Sequence, residues 1–300
     1  METNTITNAT PKPQKNMSPW AIARRKFVKN KLAMISLAYL LFIIIISFLA
    51  PYITTADISL VNIGQMELPP SADHWFGTDK SGRDVFTRLL YGGRVSLLVG
   101  MACTVAVTIF GTIVGSIAGY FGGKIDSILM RFTDFVLNFP FLVFVIVLSA
   151  ILFGEVDGVW VLILVISVLS WGGVARLVRS KVLTEKENEY VLAAVSIGTN
   201  PFKVITKHLL PNILSTIIVQ STILFANMIV VESGLSYLGF GVPSSTPSWG
   251  NMLKASQESD VLQHMPWIWA PPGIVLVLTI LSINFIGEGI KDALNPKSYR

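Results

Sequence analysis

Three histidines, three carboxylates set near apolar runs and a single cysteine are the residues of this chain whose types could do chemistry. A metal site needs ligands that the chain can bring together. His74, His208 and His264 fall in different segments, so they form no metal-ligand pattern. A phosphate-binding loop needs Gly-x4-Gly-Lys-[Ser/Thr]; Gly122-Gly123-Lys124 lacks both the spacing and the hydroxyl. Neither Gly-x-Ser-x-Gly nor His-Glu-x-x-His occurs. The residues therefore point to no catalytic, cofactor-binding or metal site. Cys103 lies inside an apolar run and reads as a small packing residue, with no disulfide framework.

The carboxylates are more informative. Asp134, Glu232 and Glu288, with Asn138, Gln220, Asn227 and Asn284, are the polar residues in or near the apolar runs. Ionisable groups in a bilayer are costly and invite a functional reading. These three acids lie within a turn or two of the run ends, so helix-terminal or interhelical bonding and direct substrate contact both stay open. No run carries the chain of acids that a proton relay would need.

The elements that must position these residues are membrane helices. The 300 residues are 52% hydrophobic and only 14% charged, outside the range of soluble domains. Crossing a bilayer takes about 20 apolar residues, and six blocks qualify: Leu32–Ala50, Val95–Phe121, Phe132–Phe153, Val159–Val178, Ile213–Val231 and Ile274–Gly289. An all-α polytopic membrane protein with six transmembrane helices is expected. The net charge of +5 suggests no nucleic-acid partner, because the cations follow topology. They gather before the first block (Arg24, Arg25, Lys26, Lys29, Lys31), around 176–207, and after the last block (Lys291, Lys297, Arg300). The positive-inside rule then makes both termini cytoplasmic, as an even span count requires. Leu32–Ala50 is too long and too far from the start for a cleaved leader, and no Ala-x-Ala site follows.

Residues 1–18 read as a disordered tail. Trp20–Lys31 reads either as a basic interfacial segment on anionic lipid or as an ordinary positive flank. In the long external loop Pro51–Arg94, Asp84–Tyr91 suggests a short helix on the membrane surface, with Asp84 and Arg88 as an i,i+4 pair. Gly111, Gly115 and Gly119 form one stripe, suited to close helix packing or to a roomy conduit. Tyr120–Arg131 reads as a short cytoplasmic turn.

Between the fourth and fifth blocks lies a charged island, 185–212. Glu187–Ile197 has helical spacing, and Gly198 suits the left-handed position after a helix. Asn200 is a good N-cap, Pro201 fits the first helical turn, and Leu210-Pro211 should end the second helix. Phe202, Ile205, Leu209 and Leu210 give that second helix an apolar face. Such a helix-turn-helix either presents a grip to another protein or folds back on its own bundle.

Glu189–Asn212 resembles the EAA loop of type I ABC importer permeases: Ala193-Ala194, three residues, Gly198, then Leu210-Pro211. Leu192 stands where that pattern has Glu, and His208 where it has an aliphatic residue. The stretches His74–Val85, Arg88–Gly92, Leu235–Val242, Pro247–Leu253 and Gly289–Pro296 resemble the C-type permease subunit of peptide and nickel importers. The resemblance implies the type I importer fold and a multi-pass subunit of the bacterial cytoplasmic membrane. It implies a second, B-type permease, two ATP-binding subunits that carry the ATPase activity, and an extracytoplasmic substrate-binding protein. It makes Glu189, Ala193, Ala194, Gly198, Pro201, His208, Leu210 and Pro211 the coupling surface, and it requires no cofactor. Oligopeptides or dipeptides are the expected cargo, with nickel, glutathione and opines as alternatives. A secondary transporter or channel, needing no ATPase, would want an ion site at mid-membrane. The implied division is a tail over 1–31, a first span over 32–50, an external loop over 51–94, a core over 95–289 containing 185–212, and a tail over 290–300.

Overall fold

The computed structural model describes residues 19–152 and 158–294. The expected tail over 1–18, the Trp20 side chain, residues 153–157 and the C-terminal residues 295–300 fall outside them. Among the described residues the architecture is helical: α1 (Pro19–Lys29), α2 (Lys31–Phe48), α3 (Val85–Phe121), α4 (Gly123–Asn138), α5 (Phe141–Leu152), α6 (Gly158–Lys186), α7 (Glu189–Ser196), α8 (Pro201–Leu238), α9 (Trp249–Leu253), α10 (Ser259–His264) and α11 (Pro266–Leu294). Helices α2, α3, α6, α8 and α11 are each long and apolar enough to cross a membrane.

The sixth crossing departs from expectation. As far as its described residues go, the block expected over Phe132–Phe153 belongs to a pair, α4 and α5, bent by 84° at Phe139-Pro140. Proline supplies no N–H and disfavours a helical residue before it, and Phe139 is accordingly extended, with ψ 140°. At 1.5 Å per residue α4 reaches about 24 Å and α5 about 18 Å, each short of the roughly 30 Å hydrocarbon core.

Three local expectations are also corrected. Asp84–Tyr91 forms no separate surface helix, because Asp84 caps the start of α3, accepting from the Thr87 N–H at 2.7 Å. Asp84 does not pair with Arg88; it meets His74 Nδ1 at 3.0 Å. The expected turn Tyr120–Arg131 is mostly helix, since only Gly122 separates α3 from α4, at φ +65°. Finally, Leu210-Pro211 ends nothing. The chain absorbs Pro211 with a π-helical turn over Ile205–Leu209, where the Leu210 N–H reaches the Ile205 carbonyl, and α8 runs on. Widening the turn relieves the clash between the proline ring and the preceding turn's carbonyls.

The largest helix interface joins α3 to α6, and the glycine stripe makes it. A Cβ on Gly115 would stand 2.4 Å from the Ala175 carbonyl oxygen. On Gly111 and Gly119 it would stand 2.7 Å and 2.9 Å from the Cβ atoms of Val174 and Val182. The stripe is thus backbone-to-backbone packing and not the lining of a conduit. Val107, Val114, Trp171 and Val178 complete that core. A second core gathers Ile43, Leu89, Phe225, Trp249 and Ile283 where α2, α3, α8, α9 and α11 meet. At the C-terminal end of α3, Arg179 grips Asp126 with two bonds, one of them 2.5 Å from Nη2. Beside it the Lys186 ammonium donates to the Tyr120 carbonyl at 2.6 Å.

Candidate functional site

The island folds as the short helix α7 and the first turns of α8 around a well-made turn. At the end of α7 the Thr199 N–H donates to the Ala194 carbonyl at 3.1 Å, and the Gly198 N–H to Val195 at 2.9 Å. With Gly198 at φ +79° this is a Schellman motif. One residue later the Asn200 side chain accepts from the Phe202 N–H at 2.9 Å, and Pro201 occupies the first turn of α8. The turn leaves no freedom between the two helices beyond that of a shared loop of four residues, 197–200.

The inner side is anchored. Val191, Ala194, Val204, Ile205 and Leu209 are buried, so the island does rest on its own bundle. Asn212 ties the far end back: its amide donates to the Tyr190 hydroxyl at 2.6 Å and to the His208 carbonyl at 2.9 Å. Tyr190 also donates to Glu185. Burial first, and the Glu185 carboxylate second, push the Tyr190 phenol above its ordinary value, which keeps it neutral and donating.

The outer side is apolar and uncovered. Ile197 is 84% exposed and Phe202 72%, with Leu192, Val195 and Tyr190 beside them. Exposed apolar residues are ordinary singly, but a group of them together on one hairpin marks a contact surface. The paired alanines divide between the two sides, Ala194 inward and Ala193 outward. Glu189 is exposed and makes no ion pair among the described residues. Leu192, the departure from the family pattern, belongs to the outer patch. That patch is the feature sequence reading missed, although Leu192 and Val195 recur at i,i+3 opposite Val191 and Ala194.

The intramembrane acids do not converge. Asp134 pairs with Arg176 at 2.6 Å, both about half exposed. Glu288 is exposed on α11. Glu232 is fully buried in a socket of hydroxyls: Ser96 and Ser236 donate to it at 2.8 Å, Ser233 at 3.2 Å, and Ser248 adds a fourth. Ser96 in turn accepts the Trp249 N–H at 3.2 Å. The socket therefore joins α3, α8 and α9, and Glu232 is an interhelical bonding residue. Glu232→Ala should lower thermal stability markedly, since orphaned buried hydroxyls cost about 1–3 kcal/mol each, while Glu232→Gln should cost much less. Neither should change substrate preference; thermal unfolding in detergent and competition uptake check the two halves.

Known proteins fit this architecture. A family model described as the binding-protein-dependent transport system inner membrane component matches residues 111–299. A second, the N-terminal transmembrane domain of oligopeptide transport permease C, matches residues 18–70. A dipeptide transport system permease protein of Bacillus subtilis is 40% identical, covering 93% of this chain and 86% of its own. An oligopeptide transport system permease protein of Haemophilus influenzae is also 40% identical, over 93% of this chain and 89% of its own. This multi-pass helical chain belongs to the family of binding-protein-dependent transport system inner membrane components.

Proposed function

We propose that this chain is one of two transmembrane subunits of an ATP-driven importer that carries dipeptides or oligopeptides into the cell. The observation that carries the reading is the island's double-sided build: an inner face fixed to the bundle and an outer apolar face, Leu192, Val195, Ile197 and Phe202, left for a partner. Residues 185–212 dock on an ATP-binding subunit, with Glu189, Ala193, Gly198 and Pro201 at the contact, Ala194 on the inner side, and His208, Leu210 and Pro211 in the α8 segment behind them. Two ATP-binding subunits supply hydrolysis, a second permease completes the pathway, and an extracytoplasmic protein delivers the peptide. Closure of the ATP-binding pair moves the island as a rigid body, and the bundle shifts between two packings. Residues 95–289 form the transport core, and 32–50 is an added anchor in the lipid. The peptide cargo named for the relatives is what favours peptides over nickel, glutathione or opines.

The test is uptake by the importer assembled from this chain, its companion permease, the ATP-binding subunits and the binding protein in proteoliposomes. ATP-dependent accumulation of a labelled dipeptide or tripeptide is expected. Stronger competition by nickel or glutathione than by peptides would sink the substrate, and uptake by this chain alone would favour a secondary transporter. Sidedness has its own readout. In a Cys103-free chain, Ser71→Cys and Ser256→Cys should react with an impermeant reagent from outside, and Thr184→Cys should be protected. Modification at 184 in intact cells would invert the topology.

A further inference from the structure

Helix α1 has two sides with different partners. Ala23 and Phe27, one turn apart, face inward: Ala23 is buried, and the Phe27 ring lies 3.1 Å from where a Cβ would stand on Gly289, near the end of α11. The other side is left out. Arg24, Arg25 and Lys29 are exposed there, and Val28 beside them is 54% exposed. Ala21, Arg24, Arg25, Val28 and Lys29 wall an open recess of about 450 Å³. None of these three cations makes an ion pair among the described residues. The acids flanking Gly289, Glu288 and Asp292, are exposed, and Lys291 stands between them. Two residues past Lys29 the first span begins, with Asn30 capping it through the Ala33 N–H at 3.1 Å. Leu32, Ile35, Phe42 and Ile45 then recur at helical spacing along α2, all exposed. Only 22% of that span is buried, the smallest share among the five crossing helices.

Three cations around an apolar residue, followed at once by a span whose side is open to hydrocarbon, match a ligand that is anionic at one end and apolar at the other. A guanidinium fork fits phosphate oxygens, and a basic helix face at a membrane surface draws anionic headgroups. We propose that the outward side of α1 holds an anionic phospholipid, with Arg24, Arg25 and Lys29 on the headgroup phosphate and Val28 against the first methylenes of its chains. The α2 stripe favours lipid over an acidic protein surface, which would answer the cations but not the apolar run beside them. A seated headgroup also relieves the repulsion among the three cations, and so holds α1 in place against α11.

The experiment is native mass spectrometry of the assembled importer released from nanodiscs of mixed phosphatidylglycerol and phosphatidylcholine. Wild type should retain phosphatidylglycerol in preference to phosphatidylcholine. A basic residue near an anionic lipid surface contributes about fivefold in affinity, so Arg24→Gln, Arg25→Gln and Lys29→Gln together should weaken retention about tenfold or more. Arg24→Lys with Arg25→Lys should keep most of it. Should the triple variant melt early in a thermal scan, Lys29→Gln alone should still lower retention by about fivefold. Lys124→Gln, Arg131→Gln and Lys181→Gln form the charge-matched control, since these cations are exposed and outside every ion pair among the described residues. They belong to the same end of the bundle: Arg94, early in α3, lies over Phe48 at the end of α2, so α3 runs back toward α1. The control should retain lipid as wild type does. Unchanged retention in the α1 variants overturns the proposal, and so does equal loss in both triple variants, which would be attraction by the whole face. Displacement of the lipid by millimolar inorganic phosphate overturns it as well, assigning the cations to a soluble phosphate compound. Loss of the ATP-binding subunits from the α1 variant with lipid retention unaltered would assign them to a protein partner instead. Retention is read without transport, so its failure and that of the functional reading are separate results.

Discussion

A Gly198→Pro chain is expected to reach the membrane in normal amount and to transport nothing. Gly198 sits at φ +79°, whereas proline is locked near −65° and has no N–H. The substitution removes the 2.9 Å bond to Val195 and forces the turn into another path. Because α7 and α8 stop and start on this turn, their outer faces no longer share one direction. Gly198→Val does the same less abruptly, since a left-handed conformation costs a side-chain-bearing residue about 1–2 kcal/mol. Open space surrounds the position, with no atom within 4 Å of where a Cβ would stand, so conformation alone is at stake. Gly198→Asn therefore makes the control, because asparagine tolerates that region, and it should retain most activity. Co-purification of the ATP-binding subunits with the proline variant should drop in parallel with uptake. Normal transport by Gly198→Pro would mean that the island is not the lever.

Gly115→Leu should be nearly as severe, for a different reason. There the obstacle is the Ala175 carbonyl, 2.4 Å from the added Cβ, with Val178 Cβ at 2.9 Å. A backbone oxygen cannot rotate aside, so α3 and α6 must separate along their largest interface. Overpacking commonly costs about 1–3 kcal/mol, and this site belongs at or above the top of that range. Loss of yield and a lower unfolding temperature in detergent are expected, with Gly115→Ala intermediate. An unaffected melting temperature would show that the two helices are not in contact as described.

Much of this architecture is legible in the chain because the apolar length a bilayer demands leaves few choices. The island's turn is legible residue by residue: Gly198, Asn200 and Pro201 each suit one backbone position, and each occupies it. Proline is harder to read, because its effect depends on surroundings that the local pattern does not carry. Pro140 splits a run whose hydropathy is continuous, while Pro211 is carried through by a π turn that no side-chain pattern announces. Spacing matches Arg88 to Asp84, but Asp84 is committed to capping α3 and to His74. The Glu232 socket draws Ser96 and Ser248 from distant segments, so only Ser233 and Ser236 hint at it locally. The large apolar side chains of the outer patch lie beside the motif positions and not on them: Leu192, Val195, Ile197 and Phe202 flank Ala193, Gly198 and Pro201, which are small or shape the turn.

The π turn at Ile205–Leu209 fixes one further quantity, the rotational phase between the island and the long helix behind it. Each residue advances an α-helix by about 100°, so one extra residue in the backbone swings everything upstream by over a quarter of a circle. Removing a single residue there would leave hydropathy and composition almost unchanged and would keep both helices. It would nonetheless turn Phe202 and Ile197 to a new compass bearing relative to Glu232 and the rest of α8. Two chains carrying the same side chains on both elements, but differing in this one step, would offer different faces to the same partner. Insertions and deletions at this point are therefore changes of pairing specificity, written in the backbone alone.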